Sequence, residues 1–273
     1  MTSQSPYRLA VVGGGNMGAA LIGGLLGAAF STDASSWSAA DLAVVEVLEA
    51  RSVQLRGMFP GVTVSDAIPP CAAAVIAVKP PDAAAACAAA VAAGATRLLS
   101  IAAGVPLATL QRAAGSSAAV VRAMPNTPAL VGQGAAAISA GTAATDDDMA
   151  WAESILGSVG TVVRVPEVAL DAVTGLAGSG PAYLFLIAES LIEAGVAAGL
   201  SQPISEALVT QLFVGSAALL RDRGEPAELR RMVTSPGGTT AAGLRVLDEH
   251  GVREAFVQAV MAAKARSVEL GKP

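Results

Sequence analysis

Arg8-Leu9-Ala10-Val11-Val12-Gly13-Gly14-Gly15-Asn16-Met17-Gly18 decides how the first half of this chain folds. The segment opens as a short apolar run of strand character, turns through glycines, and passes into the Ala- and Leu-rich stretch Met17–Ala29, which reads as a helix. Glycines at this spacing between a strand and a helix have a mechanical meaning. Gly13 permits the tight turn, Gly15 lets a pyrophosphate approach the backbone, and Gly18 lets the helix pack on the strand. The unpaired N–H groups and partial positive charge of the helix start then face the phosphates. Gly14, Asn16 and Met17 complete the loop, so Gly13–Gly18 is expected to bind a dinucleotide.

Outward from this turn the pattern repeats. Leu42–Val45, Ala74–Val78, Leu98–Ile101 and Val120–Ala123 are short apolar runs that end in a turn or a polar residue, with helical segments such as Ala83–Ala93 between them. That rhythm means βαβ units and a mostly parallel sheet. Ala135–Ser139 and Thr161–Val165 read as later strands flanking a helix over Asp146–Val159. After Pro166 the pattern turns helical: Asp171–Gly199, Pro203–Asp222, Pro226–Val233 and Thr239–Lys272, punctuated by Gly and Pro. The expected fold class is α/β: an N-terminal Rossmann dinucleotide-binding domain over residues 1–164, then an all-helical domain over residues 165–273. The helical part is more apolar than its size needs alone, which suggests an oligomer interface.

Two further residues bear on the dinucleotide. Glu46 ends the second strand, where an acid grips the adenine ribose diol and favours NAD. A 2′-phosphate beside it would meet a repulsion of roughly 1–4 kcal/mol. Arg51 lies close by in sequence and is placed to reach such a phosphate instead, so the choice between NADH and NADPH stays open.

The second stretch of chemical character is Val233-Thr234-Ser235-Pro236-Gly237-Gly238-Thr239-Thr240. It reads as a glycine turn whose hydroxyl-rich end opens a helix, a place suited to a small carboxylate.

Composition excludes several classes. The chain has 273 residues, 53% of them hydrophobic, a net charge of −5 and no basic block, which disfavours nucleic acid and anionic membranes as partners. At 3% aromatic residues there is no stacking platform for single strands. Leu9 to Thr32 carries no charge, but its many glycines and Asn16 fit a strand–turn–helix unit better than a signal peptide or membrane span. Cys71 and Cys87 have no metal-ligand spacing, and buried or idle thiols in a reducing cytosol are expected. No metal, Ser-His-Asp or paired-carboxylate constellation competes. The lone His250, beside Asp248 and Glu249, reads as a surface residue.

Three more stretches join these two: Ala77-Val78-Lys79-Pro80, Val121-Arg122-Ala123-Met124-Pro125-Asn126-Thr127-Pro128-Ala129 and Ala177-Gly178-Ser179-Gly180-Pro181-Ala182-Tyr183. With Ser235–Thr240, and in this order, they closely resemble pyrroline-5-carboxylate reductases, the last enzymes of proline synthesis, from Leu9 to about Leu270. The resemblance implies a Rossmann domain followed by a helical domain that dimerises by interlocking helices, with dimers assembling into decamers. It implies an active site between the nucleotide domain of one subunit and the helical domain of its partner. It further implies that Ala77, Val78, Lys79 and Pro80, and also Ala102, Ala103 and Gly104, line the NADPH or NADH site, with Ser65 or Asp66 nearby, while Asn126, before Thr127-Pro128, reads as shaping a turn as well as facing that pocket. These are strand C-terminal ends, where open α/β sheets bind ligands. Many members hold the 2′-phosphate with an Asn-Arg-Ser/Thr-like cluster after the second strand, where this chain has Glu46-Val47-Leu48-Glu49.

The substrate so implied is 1-pyrroline-5-carboxylate, a cyclic imine with one carboxylate. The cofactor brings the hydride, and the protein's main task is positioning. The carboxylate is expected on the N–H groups of Gly238, Thr239 and Thr240, with Ser235 and Gly237 shaping the turn. Thr240 matches the hydroxyl thought to bind the ring nitrogen, and is the expected catalytic residue, orienting the imine or relaying a proton. Ser179 reads either as an N-cap or as pocket lining, and Lys79 either as a solvated strand end or a cofactor neighbour. Two competitors are weaker. A related Rossmann reductase for another imine or a β-hydroxyacid would use a lysine on the second domain, whose long helices carry only Lys264 and Lys272 near their end. A cofactor-binding sensor without turnover is not expected to keep Gly238 and Thr240.

Overall fold

The computed structural model describes residues 7–27 and 37–271. The ends of two expected helices, residues 28–29 and Lys272, lie outside the described residues. Among them one sheet runs through the N-terminal part: β1 (Leu9–Val12), β2 (Leu42–Val45), β3 (Thr63–Ser65), β4 (Ala73–Ile76), β5 (Arg97–Ser100), β6 (Ala119–Met124), β7 (Gly134–Ala140) and β8 (Gly160–Arg164). Their order is β3-β2-β1-β4-β5-β6-β7-β8, and every pair is parallel except β6 with β7. β3 has no counterpart among the strands expected from residue pattern. Thr63-Val64-Ser65 is too short and polar to signal a strand, and only its place at the sheet edge beside β2 makes it one. β4 stops at Ile76 rather than Val78, which frees Ala77 and Val78 for the loop.

β1, β2 and β4 are buried along their whole length, which is why they read as unbroken apolar runs. Alternate residues serve opposite faces. Leu9 and Val11 join the core beneath α1 (Asn16–Leu25), α2 (Glu49–Met58) and the later helix over Asp146–Gly157. Ala10 and Val12 join the core beneath α3 (Ala83–Ala92) and α4 (Leu107–Ala114). Ala83, Cys87 and Ala90 form one helical stripe on α3 and are fully buried, so the alanine-rich segment serves close packing. Burial pushes both the Cys71 and the Cys87 thiol up to about 11, which leaves them inert.

The helix over Asp146–Gly157, α5, starts on a capping box. Asp148 accepts from the Thr145 N–H at 2.8 Å and the Thr145 hydroxyl at 2.7 Å, and pairs with Arg97 of β5 at 2.7 Å. The helix start is thereby fastened to the sheet.

The C-terminal part is helical: α6 (Leu170–Val173), a π-helical turn (Thr174–Gly178), α7 (Gly180–Ala197), α8 (Gln202–Arg223), α9 (Pro226–Met232), α10 (Thr239–Glu249) and α11 (Val252–Leu270). Thr239–Lys272 was expected as one helix, but Gly251 at φ +67° divides it after His250. Two compact units result. One runs to Ser179 and takes back the chain from Ala262 onward; the other is Gly180–Met261. Within the second unit only Ser205 and Val209 are buried, while Phe185, Leu186, Leu208 and Leu212 are each more than half exposed. Two helical stretches, Glu167–Ala197 and Gln202–Arg223, are long and apolar enough to cross a membrane.

The Asp148 carboxyl is pushed up by burial, but the Thr145 donors and the Arg97 guanidinium outweigh this and hold it below the usual carboxylate range. Its contribution is therefore in place above about pH 4 and is lost as pH falls through the lower folded value. Asp148→Asn should cost about 1–2 kcal/mol at neutral pH. In urea unfolding, the gap between wild type and variant should narrow below about pH 4.

Candidate active site

Because β1 to β6 run parallel, their C-terminal ends share one edge of the sheet. That edge gathers the first set of expected site residues: the glycine turn after β1, Glu46 after β2, Ser65 at the end of β3, Ala77–Pro80 after β4, Ala102–Gly104 after β5 and Asn126 after β6. Chain order reverses across β1, which lies between β2 and β4, so the glycine turn stands at the switch point where such sheets hold ligands.

The glycines divide the labour as the spacing implies. Gly13 adopts φ +112°, and a Cβ there would lie 2.5 Å from Ala77 O, against the backbone leaving β4. A Cβ on Gly18 would collide with Gly13 O, so the helix packs on the turn only because Gly18 lacks a side chain. Gly14 is closed off by Leu55 and Glu46. Gly15 differs: it is exposed, and a Cβ there would meet nothing within 4 Å. It is also the N-cap of α1, whose first turn carries no acid. An open backbone at an acid-free helix start fits a dinucleotide pyrophosphate. Asn16 is exposed beside it, whereas the Met17 side chain packs into the core and offers the site only its backbone.

Glu46 and Arg51 both reach Gly14. Glu46 Oε1 accepts the Leu48 N–H at 2.9 Å, and its carboxylate lies over Gly14. Arg51 Nε–H donates to Gly14 O at 2.7 Å, and its NH1 donates to Gln54 at 3.0 Å. Ser65 receives the Glu46 N–H on its carbonyl and turns its hydroxyl back to Ala67 O. Asp66 is exposed beside it. Lys79 is exposed and caps the 3₁₀ turn Pro80–Asp82. Ala103 is exposed, while Gly104 turns at φ +77°.

The second set lies in the other compact unit. Gly237 turns at φ +70°, and Gly238 is the N-cap of α10 with no side-chain cap and no acid in the first turn. Gly238 also leaves room for Ser235, whose Oγ a Cβ would meet at 2.4 Å. The Gly238 N–H donates to Ser235 O at 3.1 Å and closes the turn, so the donors left at the helix start are those of Thr239, Thr240 and Ala241. Both threonines are exposed. Ser179 belongs to the first unit and has helical dihedrals, with its N–H on Thr174 O at 2.8 Å; it is not an N-cap. His250 sits at the exposed end of α10.

The chain is similar along nearly its whole length to named proteins. It is 36% identical to the pyrroline-5-carboxylate reductase of Corynebacterium melassecola, over 97% of this chain and 98% of that one. It is 38% identical to the Mycobacterium leprae enzyme of the same name, over 97% of each. This chain belongs to the pyrroline-5-carboxylate reductase family. The family model for pyrroline-5-carboxylate reductase dimerisation matches residues 167–270. Among solved structures, the pyrroline-5-carboxylate reductase of Coxiella burnetii superposes with a TM-score of 0.88 at 31% identity, over 98% of this chain and 100% of that one. The Plasmodium falciparum pyrroline carboxylate reductase, solved with NADP bound, gives 0.82 at 29% identity, over 97% and 98%.

The family motifs also contain a residue that sequence reasoning left without a role. Arg122 lies in β6 and is 6% exposed. Its NH1 donates to Glu167 Oε1 at 2.9 Å, and the same oxygen accepts the Leu107 N–H at 2.6 Å. Glu167 therefore caps α4 from a distant segment and fixes the loop that begins at Ala102. A charge inside an apolar strand signals that a partner must exist, but nothing local in sequence names it. The end of α11 adds a second tie: Ser267 donates to Asp171 at 2.7 Å, and Gly271 passes so close to Gly104 O that a Cβ would stand at 2.8 Å.

Gly15→Ala should leave the melting temperature unchanged, because its Cβ meets nothing and its φ of −62° suits alanine. It should weaken binding of reduced dinucleotide, measured by fluorescence titration, by about tenfold or more, because the methyl fills the space for the pyrophosphate.

Proposed function

We infer that this protein reduces 1-pyrroline-5-carboxylate to L-proline with NADH or NADPH as reductant, the last step of proline synthesis from glutamate. The observation that carries the reading is the match to reductases of that name over 97% of the chain, which takes in both the glycine turn and the Ser235–Thr240 turn. The dinucleotide is held by Gly13–Gly18, with Ala77–Pro80 and Ala102–Gly104 along its nicotinamide half. When bound, the reduced nicotinamide supplies the hydride to the imine carbon.

The chain's own residues bind and orient the substrate. The carboxylate docks on the Thr239 and Thr240 N–H groups at the start of α10, where the helix dipole favours an anion. Ser235 and Gly237–Gly238 hold the turn in shape, and Ser179 lines the pocket. The Thr240 hydroxyl hydrogen-bonds the ring nitrogen, orienting it and relaying a proton from water; a threonine is too weak an acid to donate one outright. Self-association through residues 167–270 covers the apolar faces of α7 and α8, as a dimer first and beyond it as a decamer built from such dimers. In this reading residues 165–273 form the helical dimerisation and substrate-binding domain. We place the enzyme in the cytoplasm, where Cys71 and Cys87 stay reduced.

Thr240→Val should keep dinucleotide affinity and lower kcat/KM for 1-pyrroline-5-carboxylate by about tenfold to a hundredfold, the value of one polar contact made to the reacting group. Unchanged kcat/KM would remove Thr240 from the chemistry. At the ribose end, the Glu46 carboxylate over Gly14 faces the position a 2′-phosphate would take. Glu46→Ala should therefore raise the NADPH-to-NADH ratio of kcat/KM by about fivefold or more. An unchanged ratio would make Glu46 a bystander.

A further inference from the structure

The π-helical turn Thr174–Gly178 leads into a helix that Pro181 enters without a backbone N–H. In an α-helix, the N–H at position 181 serves the carbonyl at position 177. Here that carbonyl is served from elsewhere: Asn126 Nδ2–H donates to Ala177 O at 3.1 Å. The other end of the amide is also committed, since Asn126 Oδ1 accepts the Ala135 N–H at 2.8 Å. The turn is held further by the Ser179 N–H on Thr174 O at 2.8 Å and the Thr174 hydroxyl on Leu170 O at 2.9 Å. Gly178 makes room for Met124, whose Cε a Cβ would meet at 2.5 Å. Met124 and Asn126, neighbours at the end of β6, thus grip the turn from one side. An excursion from α to π geometry shifts the register of the residues beyond it and re-aims their side chains, which is why such turns gather at functional sites.

We propose that Asn126 is a positioning residue: it replaces the N–H missing at Pro181, holds the π-helical turn in register and so aims Ser179, without itself contacting the dinucleotide. This rests on the reading of Ser179 as a substrate-pocket residue.

The test is Asn126→Asp, alone and combined with Pro181→Ala, in the full chain. Aspartate keeps the acceptor for the Ala135 N–H and loses the donor to Ala177 O, while alanine at position 181 returns a main-chain N–H to that carbonyl. Asn126→Asp should lower kcat with 1-pyrroline-5-carboxylate by about tenfold. The Kd of NADH and of NADPH, titrated without substrate, should stay within about twofold, and amide exchange should rise about tenfold at residues 174–179 alone. Pro181→Ala in the same chain should restore most of both rate and protection. A Kd raised about tenfold with unchanged exchange would put Asn126 on the dinucleotide and overturn the proposal. So would exchange raised throughout the unit, or no recovery with Pro181→Ala. If wild type shows no turnover at all, the assignment of the reaction fails separately, and the exchange measurement still decides whether Asn126 holds the turn.

Discussion

The close approach of three backbone segments at Gly13 is the constraint on which the first unit depends. The turn after β1, the chain leaving β4 and the first turn of α1 meet where no Cβ fits at either Gly13 or Gly18. Any side chain there would lift the helix off the strand or push the turn from the sheet. With the contact made, α1 starts at the switch point of the sheet with its free N–H groups open beside Gly15. The open backbone at Gly15 and the closed ones beside it are two sides of one arrangement: packing consumes three glycines and leaves one for the ligand.

Around that turn, loops that end parallel strands are fixed by groups from far along the chain. Glu167 caps α4 behind the loop from Ala102, the end of α11 presses on Gly104, and Asn126 supplies a donor to Ala177. Each tie fastens a loop to a segment distant in sequence, which restrains the loops beyond what their own residues supply. The second unit is built on the opposite principle. Its helices bury almost nothing among themselves, and the family model that covers them is one of dimerisation. Their apolar faces are explained by a second copy of the chain, so their length and hydropathy are no argument for a membrane span.

Much of this was legible in the sequence because it rests on local rules. Leu42–Val45 reads as a strand from its apolar run alone, and Gly13–Gly18 and Ser235–Thr240 declare turns that open helices. β3 was illegible because Thr63-Val64-Ser65 becomes a strand only through its neighbour β2. The break at Gly251 was hidden because a single glycine inside a helical pattern reads equally as a tolerated helix residue. The partners of Arg122 and Asn126 were hidden for another reason. Their contacts, Glu167 and Ala177, are set by how the later chain folds back against β6 and the loop that follows it, which no spacing in the sequence encodes. Glu46 and Arg51 were weighed as alternatives, whereas the fold brings both to Gly14.

The central claim is that the dinucleotide edge of this chain serves the reduction of a cyclic imine. The most direct measurement tracks the loss of reduced-nicotinamide absorbance with racemic 1-pyrroline-5-carboxylate, run in parallel with NADH and NADPH, with proline identified as the product. The account predicts turnover with at least one of the two and proline formed in step with cofactor oxidation. Firm binding of both dinucleotides without oxidation of either in the presence of the imine would contradict it.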